Sequence, residues 1–362
     1  MPPVVIERGR AALRATAGAA LLALALAAAV APSSAQATSR DIPRTPDGKP
    51  DLQGNWSNAT ITPIQRPEAQ GPVLTPAQVA AIEGARQEHI EEEAAPSAPD
   101  REAPPVGGDG STGAAGGTGG YNYFYIDAGD RVARWDGEPR SSLVTFPADG
   151  RIPPITPQGR RARTAAFAVR RAGGEFANPE SRPLGERCIM SFGSNAGPPM
   201  LPNYFYNNNY TIVQTPDHVM IMTEMVHDVR VIPIGEKPVV PADHRPWMGV
   251  SWGRWEGDTL VVQTTNIHPE QLLWIAYVFP GGSENMTVTE RFTLADERTI
   301  HYEFRVDDPD FYTAPWGGQV PFNRLDERVY EYACHEANYA LFNILSGARA
   351  EERREAGGGS DR

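Results

Sequence analysis

The stretch that decides the fold is "VMIMTEMVHDVRVIP", Val219 to Pro233. Its Val, Ile and Met content reads as a single long β-strand, yet Glu224, His227, Asp228 and Arg230 fall within seven residues of it. Side chains alternate across a strand, so Glu224, Val226, Asp228 and Arg230 are expected on one face and Met225, His227 and Val229 on the other. Two uses for the charges stay open. They form a buried ion-pair network that fixes strand register, or they belong to a site in which Glu224 or Glu290 has a raised pKa and acts as general acid or base. In that site Arg230 is the partner for an anion or oxyanion, and His227 or His335 is a second proton carrier.

Hairpins flank this stretch. "NNYTIVQ" leads into it through the turn "TPDH", "GVSWGRW" and "TLVVQTTN" meet at "EGD", and "MTVTERFTL" and "TIHYEFRVDD" meet around "ADER". Matching the apolar faces of the last pair sets Phe292 opposite Tyr302 and Glu290 opposite Phe304, which turns Glu290 inward. Such spacing implies a mainly β fold, a calycin-like antiparallel up-and-down barrel or strongly curved sheet with an extended N-terminal arm and a few helices. Helices are expected over 75–94, where Thr75 caps and Pro76 opens the first turn, over about 157–172, and over about 338–354 with Leu341, Leu345 and Ala348 as its stripe. "YNYFYID", "SSLVTF" and "VYEYAC" read as further strands. In "HIEEE" (89–93) three adjacent Glu point in different directions around a helix, which makes a solvated face rather than a metal box.

Outside the fold, Arg8, Arg10 and Arg14 precede the small apolar run "TAGAALLALALAAAV", and "AQA" (35–37) is a cleavage signal. Residues 1–37 therefore read as a Sec-type signal peptide, and the protein as periplasmic or secreted. Residues 38–94 form the N-terminal arm and helix, 95–120 a Gly/Pro-rich flexible loop, 121–355 the β domain with its C-terminal helix, and 356–362 a disordered tail. Removing a leader with three Arg and one Glu takes the formal charge of the 362-residue chain from −12 to −14. So acidic a protein is repelled by phosphate backbones and anionic lipid, which argues against nucleic acid and membrane surfaces as partners. No run approaches membrane-spanning length.

Cys188 and Cys334 are the two cysteines. In an oxidising compartment they are expected to form a disulfide, the competing reading being two buried thiols. Their isolation does not make a zinc site. In "CHEAN" (334–338) Asn338 can cap the following helix and Glu336 can sit near its N-terminus, which leaves His335 unexplained. A metal site from His227, His335 and a Glu is geometrically allowed but nothing in the spacing demands it, so no metal is assigned. Tyr206, Tyr210, Trp247 and Tyr302 are the candidate ligand-binding aromatics, suited to a small apolar, aromatic or sugar-like molecule. Nucleotide-binding fingerprints are absent from the sequence, so no cofactor is expected.

The motifs "DGKPDLQGNW", "TPDHVMIMTEMVHDVR", "GRWEGDTLVV", "VTERF" and "YEYACHEAN" resemble those of a large family of uncharacterised exported bacterial proteins. That resemblance covers most of the chain after the leader and carries no catalytic residue across. "GNW" (54–56) is similar to the G-x-W opening of lipocalin barrels, although a large insertion follows it here. The resulting expectation is an exported small-molecule enzyme working by carboxylate and His acid–base chemistry, of hydrolase, lyase or isomerase type. The alternative is a lipocalin-like carrier whose buried charges are structural.

Overall fold

The computed structural model describes residues 42–94, 127–191, 196–274 and 281–357. The expected signal peptide, the 95–120 loop, most of the "YNYFYID" strand and the last five residues lie outside them. In chain order the elements are β1 (Gly54–Ser57), α1 (Pro76–Ala94), β2 (Arg134–Trp135), β3 (Glu138–Pro139), β4 (Val144–Phe146) and α2 (Pro157–Ala172). They continue with β5 (Asn209–Gln214), β6 (His218–Thr223), β7 (Val229–Pro233), β8 (Val250–Glu256), β9 (Thr259–Thr265) and α3 (Pro269–Trp274). The chain ends on β10 (Thr287–Asp296), β11 (Thr299–Asp307), β12 (Trp316–Arg324) and α4 (Tyr339–Gly357).

Nine strands make a nearly closed barrel in the order β7-β6-β5-β1-β12-β11-β10-β9-β8, every hydrogen-bonded neighbour pair antiparallel. Taken as a ring, the chain steps from β1 to β5 and then from strand to adjacent strand until β12 returns to β1. An odd number of strands cannot alternate direction all the way round, so one neighbouring pair must run parallel. That pair is β7 and β8, and their seam carries the parallel bridge Ile234–Gly253 and the bond from Gly235 N to Gly253 O, 2.8 Å. The segment 234–249 makes the crossover. β4 pairs with the start of β12, off the nine-strand path, while β1 pairs with its end. It can do so because Gly317 and Gly318 stand there; a Cβ on Gly318 would strike the Leu143 carbonyl.

Alternation puts Val288, Glu290, Phe292 and Leu294 of β10, and Ile300, Tyr302, Phe304 and Val306 of β11, inside the barrel. The expected register holds, with Phe292 opposite Tyr302 and Glu290 opposite Phe304. Aromatic rings fill the interior: Tyr302 lies 5.1 Å from Phe292 and 5.1 Å from Phe322, which is 5.1 Å from Tyr210. Trp56 is fully buried on β1 under the Arg324 guanidinium, 5.0 Å from its ring. The "GNW" segment is thus a barrel strand between β5 and β12 rather than part of a peripheral arm. α1 begins with reciprocal bonds between Thr75 and Gln78, a capping box with Pro76 at its first position.

Three expectations fail. The opening stretch is not one strand. Val226 (φ 63°) and His227 (φ 47°) adopt left-handed backbone, so the chain turns back through a 3₁₀ turn at Met225–His227, and β6 and β7 pair with each other. The shared face assigned to Glu224 and Arg230 ends at that turn. "VYEYAC" is irregular chain and turn, not a strand. α4 forms, but none of its residues is buried, so Leu341, Leu345 and Ala348 do not make a core stripe. No helix among the described residues is long and apolar enough to cross a membrane.

Candidate functional site

Two polar clusters occupy one end of the barrel. The inner one is closed. Arg230 Nη1 donates to Glu290 Oε1 at 3.0 Å and Nη2 to Oε2 at 2.5 Å, a bidentate pair with 3% and 0% of the two side chains exposed. Nη2 also reaches Ser251 Oγ (3.4 Å) and Thr264 Oγ1 (3.3 Å), which bond each other at 2.8 Å. Tyr302 donates to Glu290 Oε1 at 2.9 Å and accepts from Met200 N at 2.8 Å. Burial and the Glu290 charge both hold the Tyr302 phenol far above its ordinary pKa. Burial pulls the Arg230 pKa down, and the Glu290 carboxylate outweighs it, so the guanidinium's pKa is raised. Arg230 therefore leaves β7 and ties it to β8, β9 and β10, across the seam where backbone pairing is interrupted. Arg230 was expected beside Glu224; its partner is Glu290, because the turn at Val226 carries Glu224 out of β7.

The outer cluster is that turn. Glu224, 6% exposed, accepts from Asn209 Nδ2 at 2.8 Å and from Tyr330 N at 3.3 Å, and its own N–H binds Asn209 O at 3.0 Å. His227 is exposed, with Nδ1 3.1 Å from the Tyr332 carbonyl. A carbonyl only accepts, so Nδ1 carries the proton there and Nε2 is the basic nitrogen of the neutral ring. Asp228 follows. Its backbone carbonyl accepts from Thr223 N at 2.8 Å, while side-chain Oδ2 is buried without a hydrogen-bond partner. Burial raises the Asp228 pKa to about 7, against the opposing pull of His227. The protein packed around Asp127 and the nearby Glu224 charge push the Asp127 carboxyl upward; as a residue Asp127 is solvent-exposed, so it weighs less here than Asp228.

Strain gathers around this turn. A β-branched residue such as Val226 at positive φ is a genuine outlier, and such strain persists only where its surroundings impose it. The segment after β12 does so here, laying Tyr330 N and the Tyr332 carbonyl on the turn. That segment is fixed in turn by the disulfide Cys188–Cys334, Cα atoms 5.6 Å apart, and by Asn338 Nδ2 bonding Glu186 O at 2.9 Å. The Asn338 side chain, expected as a helix cap, is spent on that bond.

Of the other candidates, Tyr210 is buried and its hydroxyl accepts from Asn58 Nδ2 at 3.1 Å. The Tyr206 ring packs on Phe205 at 4.4 Å, and Asn203 Nδ2 donates to the Tyr206 carbonyl at 3.0 Å. The Trp247 ring lies tilted against His268, centroids 4.0 Å apart, and packs on a separate apolar cluster with Leu184 and Met190. His335 is exposed. Among the described residues no group of three His, Cys, Asp or Glu is placed to hold a metal ion. Sequence reasoning did not single out Asn209, Ser251, Thr264 or Asp127. Ser251 and Thr264 carried a readable signal: two hydroxyls at inward positions of apolar strands. No family model, curated protein or solved structure matches the chain.

Proposed function

We propose that the protein is an exported enzyme that moves protons on a small molecule at the Glu224–Asp228 turn, by hydrolysis, elimination or isomerisation. The observation that carries this reading is the strained turn itself, which holds two carboxylates and an imidazole at one end of a filled barrel. Asp228, poised between its protonated and ionised forms near neutral pH, is the general acid or base. His227 Nε2 is the second proton carrier. Glu224, fixed by Asn209 and the Tyr330 N–H, is an anchored carboxylate that positions substrate. The Arg230–Glu290 pair, sealed from solvent and spanning the seam, is structural in this scheme, and so is Tyr302. A formed disulfide is in keeping with export. The carrier alternative wants an interior cavity, and here Phe292, Tyr302 and Phe322 fill that space.

The test is a turnover screen of esters, lactones and enolisable carbonyl compounds with the wild type, Asp228→Asn and His227→Gln. An activity that falls at least about a hundredfold in Asp228→Asn, the range general acid–base groups supply, with melting temperature preserved, supports the site. An activity indifferent to both substitutions places the chemistry elsewhere.

A further inference from the structure

We infer that a second site, sharing no residue with the Glu224–Asp228 turn, binds a free α-amino acid with a large apolar side chain. It is a pocket of about 380 Å³ between α2, the start of α3 and the loops around 282–285 and 310–311. Volume on that scale suits a small molecule.

The pocket owes its space to α2. Gly159, Ala162 and Ala166 line it at helical spacing and leave the wall without bulk. The helix start is clamped in place: Thr156 N donates to Phe311 O at 2.8 Å, Thr156 Oγ1 to Asp310 O at 2.6 Å, and Gly159 N to Thr156 Oγ1 at 2.9 Å. A Cβ on Gly159 would lie 3.0 Å from Phe311 Cα, so the close approach needs glycine. Leu272 and Phe311, 2% and 3% exposed, supply an apolar floor.

Charges of both signs stand over that floor. Arg163, on the same helix face, packs 5.8 Å over the Phe167 ring and makes no ion pair among the described residues. Asp310, also in the lining, accepts from Asn285 Nδ2 at 2.7 Å through Oδ2, and its other oxygen makes no hydrogen bond among the described residues. Glu284, the other carboxylate in the lining, is drawn toward Arg245 at 3.6 Å. A guanidinium, a carboxylate and an apolar floor in one lining match a zwitterion. The α-carboxylate takes Arg163, the α-ammonium takes Asp310, and the side chain lies on Leu272 and Phe311. An anion alone would leave Asp310 facing it, and a cation alone would leave Arg163 facing it.

Calorimetric titration with three probes separates these cases: L-phenylalanine, 3-phenylpropionate, which lacks the ammonium, and 2-phenylethylamine, which lacks the carboxylate. The wild type should bind phenylalanine at least about tenfold more tightly than either analogue, the difference one charged contact makes. Arg163→Gln should weaken phenylalanine and phenylpropionate while leaving phenylethylamine unchanged. Asp310→Asn should do the reverse, and Ala166→Trp, which fills the space, should abolish all three. Unchanged melting temperatures show that each variant folds. No saturable binding of phenylalanine, or binding indifferent to the three substitutions, would overturn the inference. So would tighter binding of glycyl-phenylalanine, whose ammonium is displaced by a residue, since a peptide end would then be the better occupant. None of these outcomes touches the Asp228 reading.

Discussion

A carboxyl group that the fold holds neutral leaves a signature in stability as well as in chemistry. Asp228 titrates at about 7 in the native protein because its Oδ2 is buried without a donor, against about 3.9 in an unfolded chain. Between those values the native state binds the extra proton, so stability attributable to Asp228 is full below about pH 4 and is lost as pH rises through 7. Asp228→Asn, neutral at every pH, should therefore be close to isoenergetic with the wild type at about pH 3.5, below the unfolded value, and more stable at pH 8. Urea unfolding at both pH values checks this; a variant less stable at pH 8 would mean that ionised Asp228 has a partner that stabilises it. The residue itself was visible in the sequence, but its environment was not. Strand parity carries only as far as the strand, and two left-handed residues, Val226 and His227, ended it where no Gly, Asn or Pro announced a turn. Glu290 was legible for the complementary reason. Its strand is regular from Thr287 to Leu294, the register shifting only beyond, between Leu294 and Asp296, and matching apolar faces leaves a single register.

At the scale of elements, the Arg230–Glu290 pair belongs with the β7–β8 seam. Elsewhere in the ring, neighbouring strands are held by backbone ladders; here a guanidinium on β7 reaches a hydroxyl on β8, another on β9 and a carboxylate on β10. Removing either partner alone strands a buried charge, so Arg230→Met and Glu290→Leu should each cost about 3–5 kcal/mol. The double variant replaces the pair with packed apolar atoms and should recover most of that loss, giving a large coupling energy in a double-mutant cycle. Additive single losses would show that the two residues act independently. The hairpins β5–β6, β8–β9 and β10–β11 were readable from alternation and turn residues because their contacts are local. The pairing of β1 with β5 and β12 was not, since it joins residues more than 150 positions apart and only the closed ring explains it. "VYEYAC" shows the opposite error. Its β-favouring residues lie where the Tyr330 N–H is taken by Glu224 and the Tyr332 carbonyl by His227 and Cys334 N, and no strand pairs with it.

At the scale of the molecule, two devices close the structure, and they differ in kind. The disulfide joins residues 146 positions apart, a span for which the chain-entropy model gives about 5 kcal/mol. Replacing both cysteines by Ser should lower stability by roughly 2–5 kcal/mol, and thiol titration of the unfolded, unreduced protein should find no free thiol. The barrel closes by geometry instead, and its weakness is set by parity. Nine strands that alternate direction leave one parallel contact, and that contact falls between β7 and β8, with the bridge at Ile234–Gly253 in place of a continuous ladder. Backbone groups on the seam edges of both strands are then protected chiefly by the Arg230 cross-tie and by the 234–249 crossover. Local opening should begin there. Native-state hydrogen exchange is expected to find seam-facing amides of β7 and β8 exchanging about a hundredfold faster than those of β10 and β11, which are paired on both sides. Arg230→Met should widen that gap by freeing β7, while the β10–β11 amides change only as far as global stability falls. Protection that is even around the ring would mean that the seam is closed as firmly as any ladder, and the role given to Arg230 would then have no basis.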